Sequence, residues 1–190
     1  MTADLIGPNV KCHHSRVDAE EEGGRWRQDF LLMPHSNDDM VSAVLFLDEM
    51  TEEKAPIEVV PGSHRGELHT LWHGGEFTGA VEESVAADSR KRSLKCAGPA
   101  GSCCFMHGRL LHGSGPGPFR SALFTTVYTA EDAIPLSPNP IPSRFEGLLV
   151  RGRKTNLARS IAFELELPKK PQGTRVFAQQ HETVDRGAIG

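Results

Sequence analysis

A mainly β domain, a sandwich or barrel of short strands with few short helices, is the fold class this sequence predicts. Two observations carry that expectation. Turn-formers are dense, with 19 glycines and 13 prolines in 190 residues, and such residues end or bend regular elements. Between them the apolar residues gather in runs of about four to eight, the length of strands rather than helices. Many short strands at turn-punctuated intervals bury their apolar faces against one another, as a sandwich or a barrel.

The elements follow in order. Residues 9–15 (NVKCHHS) form a first strand candidate, closed by the charged, glycine-ended stretch DAEEEGG. Residues 26–32 (WRQDFLL) read as a second strand. Residues 40–48 (MVSAVLFLD) are nearly continuous in apolar character, as in a strand covered on both faces. Residues 57–60 make a short strand stopped by Pro61-Gly62. The stretch 67–91 holds either a helix around 79–87 or a long loop. Residues 103–107, 110–113 and 122–129 read as further strands, and 160–167 (SIAFELEL) alternates as a last one. The whole chain, 1–190, reads as a single domain, with the polar tail after about residue 170 peripheral.

Composition narrows the function classes. A hydrophobic share of 38% and a net charge of -4 describe a soluble, slightly acidic protein. No basic field invites nucleic acid or an anionic membrane. The N-terminus lacks the charged start and apolar run of a signal peptide, and no stretch has the length of a membrane span. The four cysteines, Cys12, Cys96, Cys103 and Cys104, show no CxxC spacing, so structural zinc is not supported. Free thiols in a reducing cytoplasm are the expectation.

The chemistry-bearing residues fall in three separate pieces: Trp26-Arg27-Gln28-Asp29-Phe30, His112-Gly113-Ser114-Gly115-Pro116, and Arg120. In a strand, positions 27 and 29 share a face. A histidine and a carboxylate so placed, with a second histidine from a distant strand, make a facial triad that leaves iron positions open for a 2-oxo acid and O₂. The far carboxylate of such an acid suits a planar bidentate arginine, with a hydroxyl such as Ser114 beside it.

The order of motifs resembles the phytanoyl-CoA dioxygenase family. GPNV stands at 7–10, a W-x-Q-D-F at 26–30, VVPGSH at 59–64, HGSGP at 112–116, then Arg120. The stretches TVYTAEDAIPL (126–136) and GLLVRGR (147–153) are also similar to that family, so the likeness spans roughly residues 5–180. The resemblance implies a double-stranded β-helix (jelly-roll, cupin-like) and an Fe(II) site served by 2-oxoglutarate and O₂. Carried over by position, it implies Asp29 and His112 as iron ligands and Arg120 with Ser114 on the 2-oxoglutarate carboxylate. The implied reaction is oxidation of a small molecule with release of succinate and CO₂.

Two departures matter. Arg27 stands where the family has its first iron-binding histidine, and a guanidinium has no lone pair to offer a metal. It is expected to pair with Asp29 or to face the cavity, competing with a cation for the same carboxylate. The family's helical N-terminal region also has no counterpart ahead of GPNV, which would expose a sheet face or call for a homodimer.

Other residues were open to more than one reading. His107, five residues before His112, is a rival ligand. His13 and His14 are adjacent, so in a regular strand their side chains diverge and one of them at most faces the cavity. His64 is expected to fix the turn next to Pro61, and the polar loop of His35, Asp38 and Asp39 to be solvated in preference to bordering a substrate mouth. Trp26 and Trp72 are expected in the core or cavity wall. Three functions follow: an active oxygenase, a relative that binds a small molecule or protein without turnover, or a metal cupin using His107, His112 and His13 or His14.

Overall fold

The computed structural model describes residues 1–18, 21–22, 25–115, 118–119, 122–139 and 143–168. In chain order its elements are α1 (Thr2–Ile6), β1 (Val10–Asp18), β2 (Glu21–Glu22), α2 (Asp29–Leu32), β3 (Met40–Phe46), β4 (Ile57–Val59), β5 (Trp72–His73), β6 (Glu76–Phe77), α3 (Glu83–Arg92), β7 (Leu94–Lys95), β8 (Cys103–His107), β9 (His112–Ser114), β10 (Pro118–Phe119), β11 (Leu123–Ala130) and β12 (Leu149–Arg151). The fold is mainly β and jelly-roll in type. A five-stranded sheet runs β12-β1-β11-β3-β8, and a three-stranded sheet runs β7-β4-β9. Every pairing in both is antiparallel.

Burial explains the layering. The inward residues of the large sheet, Val44, Phe46, Met106 and Leu123, pack against Ile57 and Val59 of the small one. The outer face is partly covered by α1, whose Ile6 packs with Val10 and Val41. This two-sided cover accounts for the continuous apolar run of β3. A second cluster, Trp26, Leu31, Val60, Leu71 and Leu111, fills the end of the sandwich near α2.

Several expectations change. The segment 26–32 is not one strand: Arg27 makes an isolated antiparallel bridge with His112, and the chain then turns into α2 at Asp29. The stretch 67–91 contains a small hairpin, β5-β6, and a helix displaced toward its end, α3. Gly74 and Gly75 supply the two positive φ angles, 60° and 83°, that its two-residue turn needs. Residues 160–167 are extended and alternate in exposure as expected, but they pair with no strand. They lie over α2 instead, with the Ile161 N–H donating to the Ser36 carbonyl at 3.0 Å and Phe163 edge-on to Phe30 at 5.1 Å.

The histidine pair is also rearranged. The register of β1 against β11 slips between Cys12 and His14. Both His13 and His14 are buried at that bulge, 4% and 2% exposed, with ring centroids 5.4 Å apart. A bulge adds a residue to one strand and re-aims its side chains, which defeats simple alternation.

Candidate metal centre

The site is assembled by main-chain bonding first. The Arg27 N–H donates to the His112 carbonyl at 2.8 Å, and the His112 N–H donates back at 3.0 Å. Positions 27 and 112 are therefore directly opposed across a closely spaced antiparallel pair, so their side chains emerge side by side. One residue after Gln28, α2 begins and brings Asp29 around to meet them.

Three groups then converge on one carboxylate. Arg27 Nε–H donates to Asp29 Oδ1 at 3.3 Å, and His112 Nε2 stands 3.3 Å from the same oxygen. Ser42, facing inward from β3, donates its hydroxyl to Asp29 Oδ2 at 2.8 Å. Burial alone would raise the Asp29 pKa. The charges of His112 and Arg27 and the hydrogen bonds outweigh it and hold the carboxyl well below the usual range.

The tautomer of His112 follows from its other nitrogen. Nδ1 lies 2.8 Å from the Leu110 carbonyl, which can only accept, so Nδ1 carries a hydrogen. Nε2 then meets a carboxylate oxygen, which requires a cation shared between them, either a proton or a metal. Two donors about 2.1 Å from one ion and at right angles stand about 3.0 Å apart, close to the observed spacing. Asp29 and His112 thus fit two positions of a facial triad. Arg27 does not fit the third, and among the described residues no group of three His, Cys, Asp or Glu side chains is placed to hold a metal.

Neighbouring residues hold this geometry. Gln28, fully buried, donates to the carbonyls of Glu67 at 3.0 Å and Arg109 at 2.8 Å and accepts from the His69 N–H at 3.0 Å. It clamps two loops around the site, a role for which the sequence carried no signal beyond its place in the motif. Gly113 is required sterically: a Cβ there would come within 2.7 Å of the Trp26 ring. Ser63, in the PGSH turn, accepts the Leu111 N–H at 2.9 Å and so fixes the approach to β9.

The remaining expected residues separate. Ser114 lies two residues beyond His112 on β9, on the same strand face and half-buried. Arg120 and Pro116 lie outside the described residues. His107 is not beside Asp29. It pairs in register with Val41, one step off the inward Ser42–Met106 pair, and its ring lies 5.4 Å from His64. His14 shares the inward row His14–Val127–Ser42. Burial and the Arg16 charge lower its pKa, and the Asp29 carboxylate opposes them. Its Nδ1 has no hydrogen-bond partner.

The loop expected to be solvated is instead built in. His35 is 1% exposed, with Nδ1 on the Met33 carbonyl at 2.8 Å and its ring 4.8 Å from His13. Asn37 is fully buried. Asp38 pairs with Arg109 at 3.0 Å, and Asp39 pairs with Arg159. Trp26 is a core residue, whereas Trp72 is half-buried and packs on Phe77.

A jelly-roll with a carboxylate and a histidine facing each other at one end of the sandwich is the architecture of cupin-like oxygenases. The family model for phytanoyl-CoA dioxygenase matches residues 5–121. A probable alpha-ketoglutarate-dependent hypophosphite dioxygenase of Stutzerimonas stutzeri is 34% identical over 194 residues, covering 96% of this chain and 68% of that protein. The L-proline trans-4-hydroxylase of Streptomyces griseoviridis is 28% identical over 138 residues, 60% of this chain and 52% of its own. Among solved structures, EctD from S. alaskensis with 2-oxoglutarate and 5-hydroxyectoine superposes with a TM-score of 0.56 at 25% identity, over 84% of this chain and 58% of that one. The chain belongs to the phytanoyl-CoA dioxygenase family. It spans about two thirds of the first of these relatives and about half of the second.

Proposed function

We propose that this chain is an Fe(II)- and 2-oxoglutarate-dependent dioxygenase that oxidises a small molecule. Asp29 and His112 supply its share of the iron site, and Arg120 and Ser114 take the far carboxylate of the co-substrate. The observation that carries this reading is the pairing of Asp29 Oδ1 with a His112 Nε2 whose lone pair is freed by the Leu110 carbonyl. The iron would bind the 2-oxo acid and O₂ and couple loss of CO₂ to oxidation of the substrate. The residues' own part is to keep Asp29 ionised, to hold Nε2 toward it, and, through Gln28, to fix the loops around them. Relatives named for hypophosphite and proline support a small-molecule substrate.

The cytoplasm is the proposed location and a homodimer the proposed assembly, with neither nucleic acid nor membrane as partner. No helix among the described residues is long and apolar enough to cross a membrane.

One observation favours a second reading, a relative that binds a ligand without turnover. Arg27 Nε already occupies the oxygen that a metal would use, and a fixed cation repels a second one. A single experiment separates the two. Anaerobic addition of Fe(II) and 2-oxoglutarate to the wild-type chain should give the weak visible charge-transfer band of the chelate, with succinate formed on admitting O₂. Absence of both, together with their appearance in Arg27→His at an iron affinity at least ~10-fold higher, would establish the second reading instead.

A further inference from the structure

Two of the four cysteines meet between the sheets. Cys96 follows β7, and its N–H donates to the Ile57 carbonyl at 2.7 Å, so it is carried by the three-stranded sheet. Cys104 is held in β8 opposite Val44, on the five-stranded sheet. Their sulfurs stand 3.6 Å apart beside Ile57, Val59 and Met106. Cys103 alternates to the outer face and is exposed, whereas Cys12 is buried on β1 with its sulfur 3.7 Å from the Ser15 hydroxyl.

We propose that Cys96 and Cys104 are a peroxide-reactive thiol pair that closes into a disulfide joining the two sheets. The oxidant is a small peroxide. The Cys96 thiolate attacks one peroxide oxygen, the O–O bond breaks, and the leaving hydroxide takes a proton to become water. Cys96 is then a sulfenic acid. The Cys104 sulfur attacks the Cys96 sulfur, the S–O bond breaks, and the departing hydroxyl leaves with the Cys104 proton as a second water. Two thiols lose two electrons and two protons, and one peroxide becomes two waters.

The direction of the contact between the two sulfurs divides the roles. The Cys104 thiol donates to the Cys96 sulfur, which holds Cys96 below the usual thiol range against the opposing effect of burial. The same bond, together with burial, pushes Cys104 up. Cys96 is therefore the thiolate that attacks, and Cys104 the partner that resolves. Cys96 is half-buried, within reach of a molecule as small as a peroxide. Bond formation at about 2.05 Å requires the sulfurs, now 3.6 Å apart, to close by about 1.5 Å, a side-chain movement. None of this depends on iron.

The test uses the full reduced chain without metal, exposed to a few equivalents of hydrogen peroxide and mapped as peptides under non-reducing conditions. The expected result is loss of two thiols per chain and a Cys96–Cys104 linked peptide. Cys104→Ser should stop at a Cys96 sulfenic acid that dimedone traps, and Cys96→Ser should slow thiol loss at least ~10-fold. A linkage through Cys103 or Cys12, or four intact thiols in the oxidised wild-type chain, would overturn the proposal. The wild-type map decides by itself if either variant fails to fold.

Discussion

Asp29 shows how much of this site rests on single atoms. Its two oxygens are divided, Oδ2 to the Ser42 hydroxyl and Oδ1 to His112 and Arg27. Motif order, through the family resemblance, pointed to Asp29 and His112 and offered the Arg27–Asp29 pairing, because ligand type and motif order are local information; it gave no sign of Ser42. It did not anticipate Gln28 or the burial of both His13 and His14, since a clamp and a bulge are defined by distant partners. Burial has a measurable consequence for the second of these. Desolvation, with unfavourable coupling to His35, His14 and Lys11, lowers His13 to about 3; burial, partly offset by the Met33 carbonyl, lowers His35 to about 4. Both imidazoles stay neutral when folded, whereas the unfolded chain takes up protons near pH 6.5. Between those values the unfolded state binds more protons, so stability is full above about pH 6.5 and falls as pH drops toward 4. The slope should reach up to ~1.4 kcal/mol per pH unit for each histidine. Urea unfolding at pH 7 and pH 5 measures it, and His35→Asn should flatten the fall; an unchanged slope in that variant would assign the acid sensitivity elsewhere.

At the level of elements, legibility followed length and alternation. The bounds of β8 were read exactly as they stand, and β3, β4 and β11 within two residues, because apolar runs bounded by turn-formers define them. The four-residue helix α2 is too short for a helical period to show, and its sequence reads as extended. The β5-β6 hairpin did leave a signal in WHGGEF, where two glycines separate short aromatic-bearing runs. The strand β9 carries the strictest local demand. Gly113 lies against the Trp26 ring so closely that an added methyl meets it at 2.7 Å. Gly113→Ala should cost about 1–3 kcal/mol, the usual effect of overpacking, and should displace His112 from Asp29. A melting curve reads the first effect. The imidazole resonance of His112 reads the second, and a variant with both unchanged would show that Trp26 moves aside freely.

For the whole molecule, the extended segment 159–168 is what closes the sandwich end around α2. Alternation alone made it look like a strand, but sheet membership needs a free edge, and this segment makes isolated main-chain bonds and side-chain contacts instead. Arg159 ties it to Asp132 at 3.1 Å and to Asp39, Phe163 rests on Phe30, and Thr70 bonds Glu166. The ion pairs are partly exposed and worth little singly, so the aromatic contact should dominate. Phe163→Ala is expected to make this segment the first site of limited proteolysis, ahead of the Phe30 region, while Arg159→Ala changes cleavage far less. Equal sensitivity in the two variants would mean that the ion pairs, not the ring contact, hold it. The bridge between Arg27 and His112 has a consequence at this same scale. Because the two positions are joined through their peptide groups, the side chain at 27 can be exchanged without disturbing the register, and here that side chain brings its own positive charge to Asp29. The sandwich end is therefore neutralised from within, and the protein should reach its folded form as readily in an iron-starved cell as in an iron-replete one.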